Sequence, residues 1–204
     1  FNTALGYGTL ENLNAGTDSL NTAVGYAAGN AITTGIQNTI VGASAGDAIT
    51  TGANNLALGY NSLSATTVGS DNIAIGKDAL EINVNGGAAI AIGSLALEDQ
   101  APTGTGNTYN IAIGHHAGKE VTTGGTNVLI GGLAGDALTT GSHNVAIGHE
   151  ALTTENAHGT NTAIGFRALK VQDAGANAFN VALGYFAGGA VTTANNTTLV
   201  GGLA

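Results

Sequence analysis

The sequence predicts an all-β chain wound as a parallel β-solenoid (a β-roll or β-helix) of about twelve 17-residue coils, a single repeat array over residues 1–204. Three observations predict it. The motif Asn-x-Ala-(Ile/Val/Leu)-Gly recurs from end to end, most of its copies stand 17 residues apart, and the fourth residue of every copy is aliphatic. A unit of this length is too short for a pair of helices, so the repeat must be built from strand and turn.

The coils, numbered one to twelve in chain order, open at Asn2, Asn21, Asn38, Asn55, Asn72, Ala89, Asn110, Asn127, Asn144, Asn161, Asn180 and Thr197. Those opening at Asn2, Ala89 and Asn161 run to 19, 21 and 19 residues, and their extra residues fall near the coil's end, as loops on one edge do. Phe1 takes the slot that Phe179 holds before Asn180, Ala204 stops part of the way round coil twelve, and neither end shows a cap. Open solenoid ends invite association, so the array is expected to be an excerpt of a longer fibre or a unit that stacks end to end.

The fourth position reads Leu5, Val24, Val41, Leu58, Ile75, Ile92, Ile113, Ile130, Ile147, Ile164, Leu183 and Val200. Aliphatic residues in a short segment closed by Gly predict a strand followed by a turn. One strand per coil, stacked in register at about 4.8 Å, makes a rod roughly 57 Å long. Strand alternation sends positions two and four to one face and positions one, three and five to the other. The aliphatic face is expected to fill a narrow interior, with the twelve fourth-position residues as its core. The opposite face, with Asn, Ala and Gly and a further Ala column at position eight, would then be a stripe of small residues on the outside, covered by lateral packing in a symmetric homotrimer. The competing arrangement places those alanines inside a tightly wound monomer.

Two exchanges bear on core volume. Where position nine is Gly (Gly29, Gly46, Gly118, Gly135, Gly188), position twelve is Ile32, Ile49, Val121, Leu138 or Val191. Where position nine is Leu63, Leu80, Leu97, Leu152 or Leu169, position twelve is Thr66, Asn83, Gln100, Glu155 or Gln172. One extra buried aliphatic per coil, worth roughly 1.5–3 kcal/mol, is thus supplied from either of two places. A second exchange pairs Tyr26, His115 and Tyr185 at position six with Ile40, Leu129 and Leu199 at position three of the following coil.

Asn21-Thr22-Ala23-Val24-Gly25-Tyr26, Asn144-Val145-Ala146-Ile147-Gly148-His149 and Asn161-Thr162-Ala163-Ile164-Gly165-Phe166 resemble the head repeats of trimeric autotransporter adhesins. They are still more similar to the Asn-Thr-Ala-Ile-Gly repeats of bacterial surface and phage tail-fibre proteins. The resemblance covers the whole chain. It implies a left-handed parallel β-roll, a homotrimer, and an extracellular stalk or head, on a cell surface or a virion, that bridges to a target.

Composition narrows the alternatives. No Cys is present, which removes disulfides, thiolate metal sites and cysteine nucleophiles. A formal charge of −9, with Lys77, Lys119, Arg167 and Lys170 as the whole basic complement, argues against nucleic-acid and anionic-membrane partners. No apolar run is long enough to insert through a bilayer as a helix.

The polar candidates read as parts of the repeat. Gly42-Ala43-Ser44-Ala45-Gly46 matches the nucleophile-elbow pattern, but sister coils carry the same glycines without Ser, and no base or acid can be placed beside Ser44. Gly131-Gly132-Leu133-Ala134-Gly135-Asp136 approximates a calcium nonapeptide and fails at Ala134; Asp47 and Asp136 are too few for a calcium ladder. His115, His116, His143, His149 and His158 cluster within three coils, and a trimer axis could gather three copies of one of them. Position six also carries Tyr7, Tyr26, Tyr60, Phe166 and Tyr185, which suits a packed ladder or flat surfaces for sugars. Thr pairs such as Thr33-Thr34 raise ice binding, but adjacent Thr residues on a strand face opposite ways.

The clearest polar feature is the position-one column Asn2, Asn21, Asn38, Asn55, Asn72, Asn110, Asn127, Asn144, Asn161 and Asn180, expected to act as a structural ladder. No catalytic, cofactor or metal role is assigned to any residue. The expected function is a non-catalytic shaft or head segment of an extracellular adhesive fibre, with itself as lateral or end-to-end partner. The alternatives are a head binding a surface glycan or receptor and, more remotely, an ice-binding solenoid.

Overall fold

A computed structural model describes residues 1–16 and 18–204. Twelve three-residue strands follow in chain order: β1 (Thr3–Leu5), β2 (Thr22–Val24), β3 (Thr39–Val41), β4 (Leu56–Leu58), β5 (Ile73–Ile75), β6 (Ile90–Ile92), β7 (Ile111–Ile113), β8 (Val128–Ile130), β9 (Val145–Ile147), β10 (Thr162–Ile164), β11 (Val181–Leu183) and β12 (Thr198–Val200). They form one sheet in the order β1 to β12, and every neighbouring pair is parallel. There is no helix among the described residues. Coil stacking is in register, so Ala91, Ala112 and Leu129 lie side by side on β6, β7 and β8. Every coil therefore meets its neighbours at the same positions, as a β-solenoid requires.

The turns continue the ladder beyond the strands. Gly29, Ala31 and Thr33 donate from the backbone to Ala45, Asp47 and Thr50 of the next coil, each at 3.0 Å. What lets the chain leave the strand is the Gly at position five. Gly114 has φ +140°, and a Cβ there would sit 2.5 Å from the Gly131 carbonyl oxygen, so only glycine fits between the coils. Position nine is left-handed whether Gly or not: Leu97 has φ 49° and is nonetheless fully buried. Burial of its side chain offsets the cost of that backbone conformation.

The inside and the outside are the reverse of the sequence expectation. None of Leu5, Val24, Val41, Leu58, Ile75, Ile92, Ile113, Ile130, Ile147, Ile164, Leu183 and Val200 is buried. Even in the middle of the rod Leu58 is 42% and Ile113 36% exposed, whereas Ala23, Ala57, Ala74, Ala91, Ala112, Ala146, Ala163 and Ala182 at position three are fully enclosed. Position-eight alanines such as Ala28, Ala45, Ala117 and Ala134 are enclosed as well. The expectation equated aliphatic with inside. A coil of this length, with a single short strand, encloses a tube that in most coils admits methyl groups from two sides and one large side chain from a third, so the branched residues of position four face out.

That one large side chain behaves as the first volume exchange requires. Leu63, Leu80, Leu97, Leu152 and Leu169 at position nine, and Ile32, Ile49, Val121 and Leu138 at position twelve, are all fully buried. The second exchange has a different partner from the one expected. Tyr26 and Tyr185 are 61% and 58% exposed and lie outside the core. Ile40 instead occupies space left by two glycines: a Cβ on Gly29 or on Gly46 would come within 3.1 Å of its Cδ1. Leu129 stands in the same relation to Gly118 and Gly135, and Leu199 to Gly188. Bulk at position three answers glycine at position nine in the same or preceding coil.

Candidate functional site

The Asn column lies inside. From Asn21 onward each of its members is buried, and only Asn2 is exposed. The side-chain oxygen accepts from the position-one backbone N–H of the next coil, as in Asn38 to Asn21 at 2.8 Å, Asn72 to Asn55 at 3.0 Å and Asn144 to Asn127 at 2.9 Å. The amide nitrogen donates back to its own coil, to Gly35 from Asn21, Gly52 from Asn38 and Gly141 from Asn127, each at 2.9 Å. Amide-to-amide bonds along the rod are secondary, as in Asn127 to Asn110 at 3.2 Å. From Asn21 to Asn180 each Asn but Asn161, whose Nδ2 has no partner, therefore satisfies two backbone groups that the narrow interior would otherwise leave unpaired.

Outside, position four is aliphatic on every strand, and position two adds aliphatic residues through the middle of the sheet and Thr toward its ends. Its central rungs are Leu56 and Leu58, Ile73 and Ile75, Ile90 and Ile92, Ile111 and Ile113, Val128 and Ile130, Val145 and Ile147. With three residues per strand and twelve strands, the face measures about 57 Å by 10 Å. That is at the upper end of what a monomeric protein leaves open to water.

Beside it runs the position-six column. Tyr7 stacks on Tyr26 with centroids 5.6 Å apart, and His149, Phe166 and Tyr185 continue as a stack at 5.7 and 5.4 Å. Arg167 lies over Phe166 at 4.9 Å, bonds Glu150 through Nε at 2.7 Å, and shares Glu150 with Lys170. Hydrogen bonds from Arg167 and Lys170 hold the Glu150 carboxyl down to about 2. His115 and His116 stack at 3.9 Å; desolvation, followed by the charge of His115, lowers the pKa of His116.

The remaining candidates separate in space. Ser44 sits in a left-handed turn, φ 52°. Asp47 and Asp136 lie five coils apart, each with its carboxyl pushed up chiefly by desolvation. Thr33, Thr50, Thr122 and Thr139 donate their hydroxyls to backbone carbonyls of the next coil, which commits one residue of each of these Thr pairs to the scaffold.

Sequence reasoning missed one association. A ring nitrogen of His158 and carboxylate oxygens of Glu155 and Asp173 lie within 4.8 Å of one another, the one such group of three among the described residues. The signal was present in the repeat, because Glu155 is the single carboxylate at a twelfth position otherwise filled by neutral side chains in the coils with Leu at position nine.

No family model, curated protein or solved structure matches this chain. The fold alone therefore defines its class, a parallel β-solenoid repeat protein.

Proposed function

We propose that the chain is a shaft or head segment of an extracellular adhesive fibre, on a cell surface or virion, without catalytic activity. The observation that carries this reading is the uninterrupted in-register stacking of twelve coils with an aliphatic face along the full length. Continuous hydrogen bonding between coils supports stiffness along the axis, and the outer face supports lateral pairing with further copies of the chain, most economically as a left-handed homotrimer. The repeat resemblance points the same way. The case for lateral assembly rests on the branched residues of positions two and four; the position-three alanines are already covered within each chain.

Acidic character and scarce Lys and Arg oppose a nucleic-acid partner. Among the described residues no helix is long and apolar enough to cross a membrane. A glycan- or receptor-binding head is the second reading, favoured by the exposed aromatics Tyr7, Tyr26, Tyr60 and Tyr185. Light scattering of the purified chain, with a glycan array on the same material, tests both. Trimers silent on the array are expected for a shaft; a dispersed monomer at high concentration would overturn lateral assembly, and specific glycan binding would favour the head.

A further inference from the structure

We propose that Glu155, His158 and Asp173 bind one divalent transition-metal cation, zinc or an ion of similar donor preference, which fastens coil nine to the loop of coil ten. Each of the three is a departure from the repeat. Glu155 takes a twelfth position that sister coils fill with Thr66, Asn83, Gln100 or Gln172. His158 takes a fifteenth position that is usually Gly, and Asp173 a thirteenth position where Thr is commonest. The fold brings these three substitutions to one place.

The neutral sister residues show what a merely structural side chain does there. Gln100 accepts from the ladder residue Asn110 at 2.8 Å, and Gln172 from Asn180 at 3.0 Å. At Glu155 that link is broken: Oε2 is buried with no hydrogen-bond partner, and so is Nδ2 of the corresponding ladder residue Asn161. The carboxylate turns instead to His158, with Oε1 3.2 Å from Nδ1 and accepting from the His158 backbone N–H at 3.2 Å. The Glu155 side chain is fully enclosed, and among the described residues its sole ion-pair partner is His158. A buried carboxylate with one oxygen unpaired is expensive unless a proton or a cation neutralises it.

The donor set favours the cation. Two ligands each about 2.0–2.1 Å from a tetrahedral ion stand about 3.4 Å apart, close to the separation found between Nδ1 and Oε1. One imidazole nitrogen with two carboxylate oxygens suits zinc and its neighbours, whereas calcium calls for six to eight oxygens. Two carboxylates also balance a double positive charge. The loop of coil ten is tied to coil nine at the residue after His158, where Asn177 Oδ1 accepts from the Gly159 N–H at 3.0 Å.

The test uses the whole chain stripped with a chelator, titrated calorimetrically with Zn²⁺ and, separately, with Co²⁺ followed by visible absorption. One ion per chain, ligand-field bands from Co²⁺ and a raised Tm are expected. Glu155→Gln reproduces the side chain of Gln100 and Gln172 and can accept from Asn161 as they do from their ladder Asn, so it should keep the fold, with a metal-free Tm at or above that of the parent, while abolishing the bound ion and the Tm shift. Asp173→Asn should weaken binding by about tenfold or more. Absence of saturable binding to the parent chain would overturn the proposal, as would binding that survives in Glu155→Gln, which would place the ion on surface histidines such as His115 and His116. Ion binding is read whether or not the chain assembles, so this result is separate from the fibre reading.

Discussion

The backbone N–H of Asn144 donates to the side-chain oxygen of Asn127, 2.9 Å away in the preceding coil, while the Asn127 amide reaches back to Gly141 of its own coil at 2.9 Å. One side chain thus closes a coil upon itself and joins it to the next. Asn127→Ala would leave a buried donor and a buried acceptor unpaired, at about 1–3 kcal/mol for each. Asn2→Ala, at the exposed end of the column, removes one backbone partner, the Asn21 N–H at 2.8 Å, and should cost less. Thermal melts of the two variants are expected to differ clearly, and equal melts would remove the ladder from the account of stability.

Gly114→Ala tests the closeness of the coils. The added methyl would meet the Gly131 carbonyl at 2.5 Å while the backbone holds φ +140°. Strain and clash together should cost at least about 3 kcal/mol, seen as a large loss of Tm. A variant melting within a degree or two of the parent would show that the coils can separate without cost.

Ala146 and Ile147 are adjacent on β9, one inside and one outside. Ala146→Leu overpacks a tube already holding Leu152 and is expected to cost about 1–3 kcal/mol. Ile147→Lys should leave the melting of the isolated chain within about 0.5 kcal/mol, because it alters a surface position. It should also weaken lateral association, as sedimentation would show. The opposite ranking in stability would restore the branched aliphatics to the interior.

Asp136 contributes a pH dependence of defined sign. Desolvation raises its folded carboxyl above the ordinary 3.8, and one of its buried oxygens has no hydrogen-bond partner. The folded chain holds the proton more tightly than the unfolded one, so this contribution is fully present below 3.8 and is lost as pH rises through the raised value. Asp136→Asn should therefore raise Tm at neutral pH and much less near pH 3. A gain independent of pH would assign the effect to something other than the charge.

Glu150 runs the other way. Its carboxyl is held near 2 by Arg167 and Lys170, so its contribution is present above the ordinary 4.5 and is lost as pH falls toward 2. Arg167→Gln should flatten that acid limb of a stability profile, and an unchanged limb would show that this partly buried surface pair contributes nothing measurable.

The strands were legible because their signal is local: an aliphatic fourth residue before Gly recurs at one period, and the expected coil openings coincide with the observed register from Thr3 opposite Thr22 to Leu183 opposite Val200. The exchange between Leu at position nine and an aliphatic at position twelve was legible for the same reason, since both members lie in one coil. The orientation of Ile147 was not. Alternation separates two faces of a strand but does not say which of them is enclosed, and the usual association of aliphatic with interior gave the wrong answer. The grouping of Glu155 and His158 with Asp173 was hidden because the third member comes from the next coil and its loop.

Period, strand position and register are properties of the repeat, written into every coil, because each strand pairs only with its neighbour's equivalent residues. Which face closes on itself depended on how much volume one turn of chain can surround. That quantity exists only once the coil is wound: the lumen takes the methyls of Ala112 and Ala146 and the single side chain of Leu152, and turns the branched residues out to the surface.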